Sequence, residues 1–170
     1  MKPKIQEELE AVTTELLLLI ASFDQEQINL IPFENSWTAA QVADHLCKSD
    51  ASIIATICQD GTFTARIPDE KTPELKGIFL NFEVKFKSPD IIIPDNKVFH
   101  KEELIVRLKE TRSKLFTAAT TLNLNEVVAH DILGDMTRLE ILSFVLYHTQ
   151  RHIHQLKRIR EKIIPLQQSV

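Results

Sequence analysis

His148 and His152 stand four residues apart in the run TRLEILSFVLYHTQRHIHQLKRIREKI, residues 137–163, the longest uninterrupted helical pattern in the sequence. On a helix, side chains at i and i+4 lie one above the other with Cβ atoms roughly 5–6 Å apart, so two ring nitrogens can converge on a single ion. The chemistry this spacing offers is chelation of a divalent metal. The plainer alternative is two half-buried rings bonded to their neighbours, in a chain that has six histidines. A third ligand from elsewhere in the chain separates the two.

The same helix has an apolar seam at Leu139, Leu142, Leu146, Ile153 and Leu156, interrupted by Thr149. Ile141, Val145, His148, His152, Gln155 and Ile159 form the stripe beside it. Both histidines are therefore expected at the margin of a helical core, shielded but reachable. His45 lies next to the apolar stripe of another helix, with Gln41 one turn before it. If those two helices are neighbours, His45 supplies the third imidazole. Three imidazoles with no further protein ligand leave coordination positions open for water and substrate, as in working rather than structural metal sites. His154 falls roughly 200° around the helix from His152 and cannot share its face; His100 and His130 are not assigned to metal, and His130 is read as a surface residue.

The elements that must position these residues follow from periodicity. Residues 3–23 open with Pro3 in the first turn and repeat Ile5, Leu9, Val12, Leu16, Leu19 and Phe23 at helical spacing. A loop with Pro32 follows. Thr38 and Gln41 have the form of a capping box, and Val42, Leu46, Ile53 and Ile57 carry a second helix to about Gln59. About forty residues then pass before the next strong pattern, which is long for a bundle. Within them residues 74–87 can form a short helix, and Ile91 to Ile93 is expected to cover one end of the core or meet a partner chain. Lys101 to Leu122 gives the third bundle helix, with Leu104, Leu108, Leu115 and Leu122 inward, and a loop with Gly134 leads to the fourth. Four helices with sparse β-patterning make an all-α four-helix bundle the expected fold. The long crossover between bundle helices two and three allows those two to run parallel.

Composition narrows the function. At 170 residues the chain fits one domain, residues 1–170, with an ordinary soluble balance of 44% hydrophobic and 26% charged residues. Twenty Lys and Arg against 24 Asp and Glu give a net charge of −4, which argues against nucleic acid as a partner. The basic residues Arg151, Lys157, Arg158, Arg160 and Lys162 read as the cationic end of the last helix. Glu7, Glu8, Glu10 and Glu15 are incompatible with a secretory signal, and the run Leu16 to Ala21 is far too short to span a membrane. Cys47 and Cys58 are about 16 Å apart on one helix and cannot bridge, so a reducing cytoplasm is the expected location. Cys47 is read as a small buried hydrophobe. Three glycines leave no phosphate-cradling loop, and no nucleophile, general base or paired carboxylate stands out.

Three features together resemble a known family. They are Trp37 at the mouth of the second helix followed by Asp44-His45-Leu46; His148-x-x-Arg151-His152-x-x-Gln155; and the lead-in Gly134-Asp135-Met136-Thr137, then Glu140. In this order they resemble the DinB/YfiT-like metal-binding bundles, the DinB superfamily, over nearly the whole chain. The resemblance implies an up-down-down-up four-helix bundle, a homodimer, and a divalent metal on His45, His148 and His152, with zinc or nickel the first candidates. Relatives include bacillithiol- or mycothiol-dependent S-transferases and a mycothiol-dependent maleylpyruvate isomerase. The isomerase relatives carry a further carboxy-terminal domain, whereas this chain stops soon after its last helix. The implied function is a metal-dependent S-transferase that uses a low-molecular-weight thiol cosubstrate on a small electrophilic substrate. A metal-dependent hydrolase, or a non-catalytic metal-binding stress-associated bundle, are the alternatives. Gln41, Gln155 and Trp37 are expected at the pocket, Trp37 also sealing the bundle end. Arg151 is expected to pair with an acidic side chain, and Tyr147, Asp131 or Asp135 to support the metal-bound histidines.

Overall fold

The computed structural model describes residues 4–164. Helix α1 spans Lys4–Ala21, α2 Ala39–Ile57, a short α3 Thr72–Phe79, α4 Lys101–Thr121 and α5 Arg138–Ile163. Pro3 lies outside the described residues. The expected capping box starts α2: Thr38 accepts from the Gln41 amide while the Gln41 side chain accepts from the Thr38 amide. Thr137 and Glu140 form a second one at the start of α5.

Contacts between helices fix their directions. Glu15 and Ser22 meet Lys157 and Arg160, so α1 and α5 run the same way. Asp44 and Asp50 of α2 meet Arg107 and Arg112 of α4, again in rising order, so those two are parallel. His45 faces His148 while Ile57 meets Arg138, which makes α2 and α5 antiparallel. The Gln6 amide reaches Ala119 and Lys101 reaches Phe23, so α1 and α4 are antiparallel as well. The result is an up-down-down-up four-helix bundle. Its core holds Leu9, Leu16 and Ile20 of α1, Leu46 and Ile53 of α2, Leu104, Leu108 and Leu115 of α4, and Leu142 and Leu156 of α5.

Two elements depart from the sequence reading. Residues 127–137 form an antiparallel hairpin, Val127–His130 with Gly134–Thr137, where only a loop was expected. β-Branched Val127 and Val128 suit the strand, and Gly134 supplies the positive φ of 71° that the turn requires. Thr62 pairs with Val127 through two hydrogen bonds of 2.9 Å, which ties the hairpin to the residues after α2. Gly61 is required there, because a Cβ would lie 2.5 Å from Glu126 Oε2 and 2.7 Å from Glu126 Cβ. The second departure is the short helix expected over 74–87, which ends at Phe79. Arg151 captures the carbonyls of Phe79, Asn81 and Val84, which a continuing helix would have used for its own amides.

The crossover between α2 and α4 is clamped at both ends. At its start, Arg66 makes a two-pronged ion pair with the fully buried Glu140, at 2.6 Å for each prong, and the Lys71 amide donates to the same carboxylate at 2.8 Å. Burial alone would raise the Glu140 pKa; Arg66 and the Lys71 and Thr137 amides outweigh it and hold the carboxyl below its usual range. At its end, Asp44 accepts from the Asp95 amide and from Arg107, and Lys48 donates to the Ile93 carbonyl. Removing the Glu140 charge leaves Arg66 and two amides facing a neutral group. Glu140→Gln is expected to lower the unfolding free energy by roughly 3 kcal/mol. Urea denaturation followed by circular dichroism measures this, and an unchanged midpoint would show that the clamp contributes little.

Candidate metal centre

Where α2 and α5 pack antiparallel, His45, His148 and His152 come together, all buried. His148 Nε2 is 3.2 Å from His45 Nε2 and 3.0 Å from His152 Nε2. Their ligand atoms all lie within 4.8 Å of one another, and among the described residues this is the one such cluster of His, Cys, Asp or Glu. His148 and His152 meet because one turn of helix separates them; His45 arrives only through tertiary packing.

The other ring nitrogens decide what the cluster can hold. His45 Nδ1–H donates to the Ile92 carbonyl at 2.8 Å, and His152 Nδ1–H donates to Gln155 Oε1 at 2.8 Å. Each donor fixes a tautomer, so the Nε2 atoms of both rings present lone pairs to His148. One N–H on His148 could satisfy only one of them. A cation at the centre satisfies all three. A tetrahedral ion with Zn–N bonds of about 2.05 Å separates its ligand nitrogens by about 3.3 Å, close to the spacing here. The His148 ring is held in place by Phe144, which lies nearly parallel with centroids 5.1 Å apart.

All three imidazoles are kept neutral, the form that binds metal. Burial depresses the pKa of each: His152 falls to about 3 and His148 well below its ordinary value, with the neighbouring histidines, Arg151 and, for His148, Arg112 adding to the effect. For His45, burial outweighs the Ile92 carbonyl and the Asp44 charge, which act the other way.

The triad forms part of the wall of a cavity of about 790 Å³, within the range of small-molecule sites. Trp37, the chain's single tryptophan, lines it with its ring 5.0 Å from that of His45, and Gln155 lines it as expected. Gln41 does not. Its amide is spent on the capping box and on a 3.4 Å contact with the Asp95 carbonyl, so the expectation for Gln41 is corrected. Arg151 has no acidic partner among the described residues; it binds three carbonyls of the crossover and stacks on Phe86, 4.7 Å from the ring centroid. Support for the triad comes from Ile92 and Gln155 instead of Tyr147, Asp131 or Asp135.

Other residues meet their expectations only in part. Ile91 is 75% exposed and does not cap the core; with Ile92 it borders the cavity. His154 lies outside the triad, as its spacing requires, yet its ring stacks flat on Phe82 at 4.1 Å and joins the cavity wall. His130 is half-buried and also on that wall. Cys47 is buried and its thiol is pushed up to about 12, which fits a small hydrophobe. Asp44 and Lys48 were not singled out from sequence as anchors. A carboxylate inside a helix beside a candidate ligand was the available signal.

Comparison with known proteins places the chain in a family and bears out the fold. A family model described as the DinB superfamily matches residues 8–156. The chain belongs to that superfamily. One relative is the uncharacterized protein YuaE of Bacillus subtilis (strain 168), 23% identical over 151 residues, covering 85% of this chain and 90% of YuaE. Among solved structures, the four-helix bundle protein TT2238 superposes with a TM-score of 0.59 at 18% identity, covering 91% of this chain and 96% of that one. YfiT from Bacillus subtilis superposes with a TM-score of 0.58 at 17% identity, covering 93% and 85%. It is described as a probable metal-dependent hydrolase with an unusual four-helix bundle topology. These likenesses confirm the fold.

The depressed histidine pKa values have a consequence for the metal-free chain. An unfolded histidine titrates near 6.5, above the folded values, so between the two the unfolded state binds more protons and stability falls as pH falls. Between pH 6.5 and 5, His152 alone accounts for roughly 2 kcal/mol. The melting temperature of metal-free protein is expected to drop by several degrees from pH 7 to pH 5. A His152→Phe variant should show a smaller drop; equal drops would remove His152 from the cause.

Proposed function

We propose that the chain is a divalent-metal-dependent transferase that joins a low-molecular-weight thiol to a small electrophile. The observation that carries this reading is the donor set, three neutral imidazoles with Nε2 atoms 3.0 and 3.2 Å apart, opening on a cavity whose described wall has one carboxylate, Glu34. His45, His148 and His152 would hold a divalent ion, which would supply Lewis acidity and ease ionisation of a thiol or water there. Zinc and nickel both suit imidazole donors. The chain's own residues do the rest. The Ile92 carbonyl and Gln155 keep two rings in the ligating tautomer, and Phe79, Phe144 and Trp37 exclude water from one side of the site.

The thiol is favoured over water by its easier ionisation, on a wall whose described proton acceptors are Glu34, His130 and His154. Water, with a pKa of 15.7, needs far more help to ionise than a thiol near 8.5. His130 cannot readily take a proton, because its Nδ1 accepts the Ile132 and Leu133 amides and its own proton therefore sits on Nε2. In the reaction the thiol gives its proton to solvent, its sulfur forms a bond to the electrophilic carbon, and the leaving group departs with the electrons of the broken bond. The hydrolase reading is the second one, supported by the likeness to YfiT.

Purified protein is expected to hold close to one divalent ion per chain, lost in His148→Ala. With cysteine and 1-chloro-2,4-dinitrobenzene, zinc- or nickel-loaded protein should release chloride and form the thioether at a rate at least a hundredfold above that of the variant. Metal-dependent cleavage of p-nitrophenyl acetate with no thioether formation would instead favour the hydrolase.

A further inference from the structure

The cavity wall has a charge balance opposite to that of the chain. Lys85, Lys87, Arg151 and Arg158 line it against the single carboxylate of Glu34, although the whole sequence is acidic at −4. Arg151 spends its donors on carbonyls, which leaves its charge uncompensated. Lys85, Lys87 and Arg158 make no ion pair or hydrogen bond among the described residues, and all three are exposed at the rim. The three metal-site imidazoles bring no negative charge either, so a divalent ion there would keep its full charge.

Beside polar residues such as Asn35, Ser36, Ser49, Ser52 and Ser88, much of the wall is apolar and open. Phe33, Phe82 and Phe86 are each between 41% and 49% exposed, and Ile132 is 61% exposed, all on this one cavity. Partly exposed aromatics gathered around a concave site are a surface waiting for apolar contact. Arg158 lies six residues beyond His152 on α5, about 9 Å along the helix axis.

We propose that the cavity takes an amphipathic monoanion, with an apolar body lying on the phenylalanine wall and an acidic head met by Arg158, Lys85 and Lys87 at the rim. It names the substrate class for the proposed transferase site, and rests on that reading only for the statement that this ligand is a substrate. Arg158 and the three histidines line the same cavity, so such a molecule can present its far end to the metal site while its head stays at the rim.

Trp37 is the only tryptophan and lines the cavity, so its fluorescence reports occupancy directly. The full chain, its metal content measured in parallel, is titrated with octanoate, octan-1-ol and octylammonium, with and without added zinc. Octanoate is expected to bind at least tenfold more tightly than octan-1-ol, octylammonium weaker than either, and the octanoate preference should shrink as salt rises. In the triple variant Lys85→Gln, Lys87→Gln, Arg158→Gln, checked for native circular dichroism, the octanoate-to-octanol ratio should fall below twofold. Equal binding of acid and alcohol, or an unchanged ratio in the variant, overturns the proposal. Octanoate binding that vanishes with the metal but survives the triple variant also overturns it, since the carboxylate would then sit on the ion. A chain that binds octanoate through the rim but holds no metal fails the transferase reading alone.

Discussion

Because α2 and α4 run in the same direction, the chain must travel back along the bundle between them, about 28 Å for the 19 residues of α2. Everything distinctive about the site depends on that return path. The crossover is not an idle connection: it carries the Ile92 carbonyl that sets the His45 tautomer and the Phe82 and Phe86 rings that wall the cavity. Three clamps keep it there, with Glu140 on Arg66 at the start, Arg151 on the carbonyls of residues 79–84, and Asp44 with Lys48 on residues 93–95. Each uses a charged group against backbone or opposite charge, so the clamps hold a segment that buries few apolar side chains of its own.

A polar layer crosses the bundle interior beside the metal site. Arg112 of α4 is 2% exposed, with Nε 2.9 Å from Asp50 of α2, and its Nη2 donates to Thr149 of α5 at 2.8 Å. The Asp50 contact lies outside hydrogen-bond geometry, and Arg112 Nη1 has no partner among the described residues, so the pairing is mainly electrostatic. Burial raises the Asp50 pKa more than Arg112 lowers it. Such a buried pair costs desolvation that its attraction roughly offsets. Its positive end nevertheless bears on the site: Arg112 is one of the charges that keep His148 unprotonated.

This layer was written in the sequence as gaps. Thr149 breaks the seam of α5, Arg112 stands where the spacing of Leu108 and Leu115 asks for an apolar residue, and Asp50 fills the same gap between Leu46 and Ile53. Each gap by itself reads as a tolerated polar residue. Only the parallel α2–α4 packing shows that they fall at one level and answer one another. The hairpin was harder to read, because four-residue strands, the second opening on Gly134, have too few residues for alternation to stand out from a loop.

Local periodicity settled what depends on neighbours within one or two turns. It set the four bundle helices to within a few residues, the Thr38 capping box, and the placing of His148 and His152 on one face, since a helix fixes i and i+4 whatever surrounds it. The third imidazole followed only on the condition that its helix neighbours the last one, and packing alone brought its nitrogen to 3.2 Å from His148. Packing also decided that Gln155 supports a histidine while Gln41 caps a helix, and that Arg151 grips backbone carbonyls instead of a carboxylate. The reason is the same in each case. A polar side chain bonds whichever partner lies within about 3 Å, and across a crossover of about forty residues that partner is set by the path of the chain rather than by its spacing in sequence.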